Sequence, residues 1–86
     1  VPPVTVYTTP FCPYCSRALS LLSKKGATVT EIAAGMDSAK KAEMMQRSGG
    51  RRTFPQIFIG ETHVGGCDDL HALDAAGRLD PILNAA

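Results

Sequence analysis

Thr8-Thr9-Pro10-Phe11-Cys12-Pro13-Tyr14-Cys15 sets two thiols two residues apart at the point where the pattern of the chain changes. Before it runs an apolar, β-branched stretch, Val4-Thr5-Val6-Tyr7, which predicts a strand. After it, Cys15, Ala18, Leu19 and Leu22 fall at i, i+3, i+4 and i+7. Leu21 widens that stripe and Arg17, Ser20, Lys24 and Lys25 stay outside it, the spacing of a helix from Pro13 to about Lys25. Pro13 suits the first turn, where its missing N–H has no intrahelical partner, and Gly26 suits the stop. Cys12 and Cys15 therefore stand at a helix start. They can close a disulfide, and the helix dipole and unpaired N–H groups favour a thiolate on Cys12, the expected nucleophile. Cys15 lies one turn inward, more shielded, and suits attack on a mixed disulfide formed at Cys12.

Working outward, Ala27 to Ile32 predicts a second strand, and so long a crossover implies parallel pairing with the first. Ala33-Ala34-Gly35 is the exit loop. A second helix follows, with Asp37 or Ser38 as N-cap, Lys41, Met44, Met45 and Ser48 along one side, and Gly49-Gly50 as terminator. Methionines at that spacing read as core. After Arg51-Arg52-Thr53-Phe54-Pro55, Gln56-Ile57-Phe58-Ile59 reads as a buried strand, turned by Gly60-Glu61 into Thr62-His63-Val64 as an antiparallel hairpin. Gly65-Gly66 breaks the backbone. Cys67-Asp68-Asp69 opens a third helix carrying Leu70, Leu73 and Ala76 and ended by Gly77, with a short final turn at Asp80-Pro81-Ile82-Leu83. The order is β-α-β-α-β-β-α, one α/β domain over residues 1–86.

Composition narrows the function classes. A formal net charge of +1 argues against a dedicated nucleic-acid or membrane-surface binder, so Lys24-Lys25, Lys40-Lys41 and Arg51-Arg52 read as solvated pairs. Three cysteines is an odd number, which suits reactive thiols in a reducing compartment better than a secreted disulfide framework. No apolar run reaches membrane-spanning length and no signal-peptide pattern opens the chain, so cytoplasm is expected, or an organelle after removal of a transit peptide. A zinc site at Cys12 and Cys15 would need two further ligands, such as Cys67 with His63 or His71; no resident metal is expected. Both histidines read as surface residues.

Cys12-Pro13-Tyr14-Cys15, Thr53-Phe54-Pro55 and Gly65-Gly66-Cys67-Asp68-Asp69 together resemble, in order and nearly in spacing, the three glutathione-site motifs of the dithiol glutaredoxins, most closely the small bacterial type. The resemblance covers essentially the whole chain. It implies the thioredoxin-like fold, a four-stranded mixed sheet with helices on both faces and the active site at the amino end of the first helix. It also implies a glutathione-dependent thiol–disulfide oxidoreductase acting on protein–glutathione mixed disulfides and protein disulfides. Glutathione is then co-substrate, glutathione reductase and NADPH supply electrons indirectly, no cofactor is tightly bound, and the protein is expected to be a monomer. An iron–sulfur carrier, disfavoured by Pro13, and a disulfide reductase fed by thioredoxin reductase are the alternatives.

The site residues follow from the same resemblance. Tyr14 is either a partly buried aromatic or the ring flanking the glutathione sulfur. Pro55 is implied to be cis, presenting the Phe54 main chain to an extended peptide, where the family more often has Val. Gly66 with the N–H groups of Cys67 and Asp68 would cradle the γ-glutamyl carboxylate, and the Asp68 carboxylate its ammonium. Asp68 or Asp69 is also expected as N-cap. Cys67 is either a non-catalytic thiol open to oxidation or a buried small residue. Thr9 stands where many relatives carry a Lys for the glycyl carboxylate; Lys41 takes that part here, with Arg51 or Arg52 assisting.

Overall fold

The computed structural model describes residues 2–84. The elements are β1 (Val4–Thr8), α1 (Pro13–Lys24), β2 (Val29–Ala33), α2 (Ser38–Arg47), β3 (Gln56–Ile59), β4 (Thr62–Gly65), α3 (Cys67–Ala75) and α4 (Leu79–Leu83). The sheet order is β2-β1-β3-β4. β1 runs parallel to β2, Val4 opposite Val29 and Thr8 opposite Ala33, and antiparallel to β3, Val4 opposite Ile59. β3 and β4 form the antiparallel hairpin, with an irregularity between Ile57 and Phe58. This is the mixed sheet expected from the sequence.

Side-chain alternation divides the core between the two faces. Val4, Val6, Ile57 and Ile59 point to one face and bury against Ala18 and Leu22 of α1, Leu70 of α3, and Leu79 and Leu83 of α4. Tyr7 and Phe58 point to the other, with Ala34 and Met44 of α2. Their rings meet edge to face, 5.6 Å between centroids, the arrangement favoured by the ring quadrupoles. The Tyr7 hydroxyl donates to Glu43 Oε2 at 2.7 Å and accepts from Arg47 Nη1 at 2.8 Å, so a buried phenol on β1 is satisfied entirely by α2.

Three boundaries differ from the sequence expectation. β2 starts at Val29 rather than Ala27, because the N–H groups of Lys25, Gly26 and Ala27 are occupied by the last carbonyls of α1, with Gly26 at φ +74°. The final turn is a helix, α4, whose Leu79 and Leu83 join the core. Lys25 ties it to α1 and α3 by bridging Asp74 at 2.7 Å and Asp80 at 3.0 Å. The N-cap of α3 is Gly66, not Asp68 or Asp69: the helix starts at Cys67, and Asp69 reaches back from the first turn to accept the Gly66 N–H at 2.9 Å.

Candidate active site

The thiol pair is built into the start of α1. Cys12 is the N-cap in extended conformation, Pro13 follows at the first helical position, and Cys12 Sγ accepts the Cys15 N–H at 3.2 Å. A sulfur thus replaces the oxygen that usually caps a helix, so one of the otherwise unpaired N–H groups is directed at it. Cys12 is half-buried, whereas Cys15 is only 4% exposed. Burial, followed by the hydrogen bond with Cys12 and the negative charges of Cys12 and Glu31, pushes the Cys15 thiol up to about 12; a main-chain hydrogen bond at Thr9 opposes this. The two sulfurs are chemically unequal. One is presented to solvent and hydrogen-bonded; the other is kept protonated beneath it.

Tyr14, two residues past Cys12, opens onto a groove of about 200 Å³. Its walls are Tyr14 of α1, the segment Thr53-Phe54-Pro55 with Arg51, and the start of α3, Gly66 through Asp69. The Phe54–Pro55 bond is cis. Gly65 takes φ +118° and leaves no room for a Cβ against the Asp69 carboxylate, so the chain turns from β4 into α3 only with glycine there. At Gly66 a Cβ would come 3.4 Å from the Pro55 carbonyl oxygen, which keeps the two walls close. The N–H groups at the start of α3 have no helical acceptors and offer an anion site, with the Arg51 guanidinium 3.6 Å from Asp69 as a nearby cation. Burial pushes the Cys67 thiol up; Arg17 opposes this, while Asp68 and Cys12 add to it. Cys67 is 5% exposed and belongs to the core cluster beneath α1.

Tyr14, Thr53, Phe54, Pro55, Gly66, Cys67 and Asp68 share this groove. Thr9 does not: it borders a second cleft together with Cys12 and Cys15, and packs against Gly35 so closely that no Cβ fits. Lys41, on α2, borders neither cleft, and Arg51 supplies the groove's cation. Sequence reading missed the support under Thr53. Gln56, wholly buried, donates from Nε2 to the Thr53 carbonyl and hydroxyl, both at 2.9 Å, and pairs with His63. His63 is accordingly half-buried and stacked on Phe58 at 4.8 Å rather than a surface residue, while His71 is exposed. A glutamine opening a run of buried apolar residues was the available signal, since a polar side chain inside must find partners. Among the described residues no three His, Cys, Asp or Glu side chains gather as metal ligands, and no helix is long and apolar enough to cross a membrane.

Residues 4–64 match the family model for glutaredoxin. A glutaredoxin of Pseudomonas aeruginosa is 55% identical over 85 residues, 99% of this chain and 100% of that protein. Glutaredoxin 3 of Escherichia coli is 56% identical over 80 residues, covering 93% of this chain and 95% of its own length. Among solved structures, the buckwheat glutaredoxin–glutathione complex aligns with a TM-score of 0.84 at 36% identity, over 95% of this chain and 76% of that one. Sheet order, the helix-start thiol pair and likeness along the whole length agree, and the chain belongs to the glutaredoxin family of thiol–disulfide oxidoreductases with the thioredoxin-like fold.

Proposed function

We propose that this protein reduces protein–glutathione mixed disulfides and protein disulfides, with Cys12 as nucleophile, Cys15 as resolving thiol and glutathione as reductant. The observation that carries the reading is Cys12 Sγ capping α1 two residues before Tyr14, which walls a groove that ends on the first N–H groups of α3. The glutathione complex of the buckwheat relative supports the choice of tripeptide.

Glutathione's cysteinyl unit lies along Thr53-Phe54-cis-Pro55, next to Tyr14. Its γ-glutamyl carboxylate meets the N–H groups of Cys67 and Asp68, and its ammonium meets the Asp68 carboxylate. Arg51 is the cation closest to hand for the glycyl carboxylate. The Cys12 thiolate attacks the glutathione sulfur of the mixed disulfide. A Cys12–glutathione bond forms as the protein–glutathione bond breaks, and the protein thiolate leaves and takes a proton. A second glutathione thiolate then attacks that adduct, releasing oxidised glutathione and restoring Cys12. Glutathione reductase and NADPH regenerate the tripeptide, and no bound cofactor takes part.

Against a protein disulfide, Cys12 becomes joined to the target and Cys15 must displace it. Burial holds the Cys15 proton most strongly, and the Cys12 hydrogen bond and the Cys12 charge add to it. The charge disappears when Cys12 enters a mixed disulfide, so Cys15 becomes more acidic at the step that uses it. A reducing compartment such as the cytoplasm keeps this cycle supplied, and the protein acts as a monomer.

The test is turnover of a peptide–glutathione mixed disulfide against the same peptide joined to cysteinylglycine, which lacks the γ-glutamyl unit. Glutathione should be preferred by about two orders of magnitude in kcat/KM, and Asp68→Asn should raise KM about tenfold with kcat little changed. Equal turnover of the two adducts would refute glutathione dependence.

A further inference from the structure

Cys12 borders a second cleft, of about 580 Å³, which shares no lining residue with the glutathione groove. Thr9, Phe11, Cys12, Cys15, Leu19 and Glu31 are among its lining residues, so both cysteines border it and Glu31 is the one charged residue that does. Phe11 is 102% exposed and holds φ +59°, a left-handed conformation that a bulky side chain rarely adopts. An aromatic ring wholly in water contributes nothing to the core. Opposite stands Glu31 of β2, whose carboxylate is fixed by the Thr8 hydroxyl at 2.9 Å and whose charge reaches Cys15.

We infer that this cleft receives the polypeptide flanking the half-cystine joined to Cys12 during reduction of a protein disulfide, and selects segments with an apolar residue and a cationic residue beside that half-cystine. The inference rests on Cys12 acting as the nucleophile but not on glutathione. Charge decides between occupants. A second glutathione would bring two carboxylates to a cleft whose one charged lining residue is Glu31, with no Lys, Arg or His. A lysine or arginine of the target meets Glu31 instead, while its apolar neighbour covers Phe11.

In the reaction, Cys12 thiolate attacks one target sulfur, the target disulfide breaks, and the other target thiolate leaves. Cys15 thiolate then attacks Cys12 Sγ, releasing the first target thiolate. Two electrons pass from the Cys12/Cys15 pair to the target, leaving those two cysteines as a disulfide. The cleft acts while the target is covalently held, when its side chains have a fixed place to bind.

The test is single-turnover oxidation of the reduced protein by two disulfide-bonded peptides that differ only beside the half-cystines, one with Leu and Lys, the other with Ser and Asp. Bis(2-hydroxyethyl) disulfide is the reference for exchange chemistry alone. The Leu/Lys peptide should react about tenfold faster than the Ser/Asp peptide at low ionic strength, and salt should shrink that ratio. Glu31→Gln should reduce the ratio severalfold, Glu31→Lys should reduce it further, and Phe11→Ser should also reduce it. Because each readout is a ratio within one variant, changes in overall reactivity cancel. Equal rates for the two peptides, or a ratio indifferent to Glu31→Lys, overturn the inference. So does a concentration-dependent dimer with no peptide discrimination, which would assign the face to a second copy. No reaction with the reference disulfide would overturn the Cys12 exchange reading itself.

Discussion

Nε2 of His63 stands 2.8 Å from Oε1 of the wholly buried Gln56, across the β3–β4 hairpin. Because the Gln56 amide nitrogen already serves the Thr53 carbonyl and hydroxyl, its oxygen must accept, and the His63 proton therefore sits on Nε2. The pair forms a brace beneath the wall of the groove that contains Phe54 and cis-Pro55. Gln56→Leu strands the His63 donor and frees Thr53. Urea unfolding should show a loss of about 1–3 kcal/mol, and KM for a glutathione mixed disulfide should rise severalfold.

His63 also makes the brace sensitive to acid. Burial, followed by the Arg51 charge, lowers its pKa from 6.5, and Asp69 opposes this. The unfolded chain thus binds the proton more readily than the folded one. Stability from this source is complete above pH 6.5 and declines as pH falls below it, through the depressed folded value. Urea midpoints between pH 7.5 and 5 should fall for the native protein. For His63→Phe the curve should lie lower throughout, since Gln56 Oε1 loses its donor, but be flatter across that window.

The unequal thiols predict unequal mutants. Cys12→Ser should abolish turnover of a glutathione mixed disulfide, by at least about a thousandfold, because nothing else exposes a sulfur there. Cys15→Ser should keep substantial activity with that substrate and lose protein-disulfide reduction. In the reduced native protein near neutral pH, iodoacetamide should label Cys12 rapidly and leave Cys15 unmodified, as expected of a thiol 4% exposed and pushed up to about 12. Peptide mapping of the alkylated sites checks this, and equal labelling of the two would contradict the assigned roles.

On the opposite face of the sheet, Arg47 secures α2. Its guanidinium donates to the Tyr7 hydroxyl and lies 4.4 Å from the centroid of the Phe58 ring. Arg47→Met keeps much of the apolar stem but removes both interactions. Thermal or urea unfolding should report a loss of about 1–3 kcal/mol, with kcat for a small mixed disulfide unchanged, since Arg47 borders neither cleft at the thiol pair.

Local sequence determined every strand and the three longer helices of this protein. Apolar spacing specified α1, Pro13 and Gly26 marked its ends, and alternation divided Val4 and Val6 from Tyr7, all of which act within a few residues. The motifs likewise named both thiols and most of the groove. Tertiary structure decided what depends on residues far apart in the chain. Gln56 became a brace because Thr53 and His63 converge on it, and His63 is half-buried because Phe58 offers a ring to stack on. Lys41 fell outside the groove while Arg51 entered it, since a long cationic side chain serves whichever wall its backbone passes. Thr9 and Glu31, twenty-two positions apart, border one cleft only because β1 pairs in parallel with β2. Periodicity reports which face a residue takes; only the assembled sheet reports what meets it there.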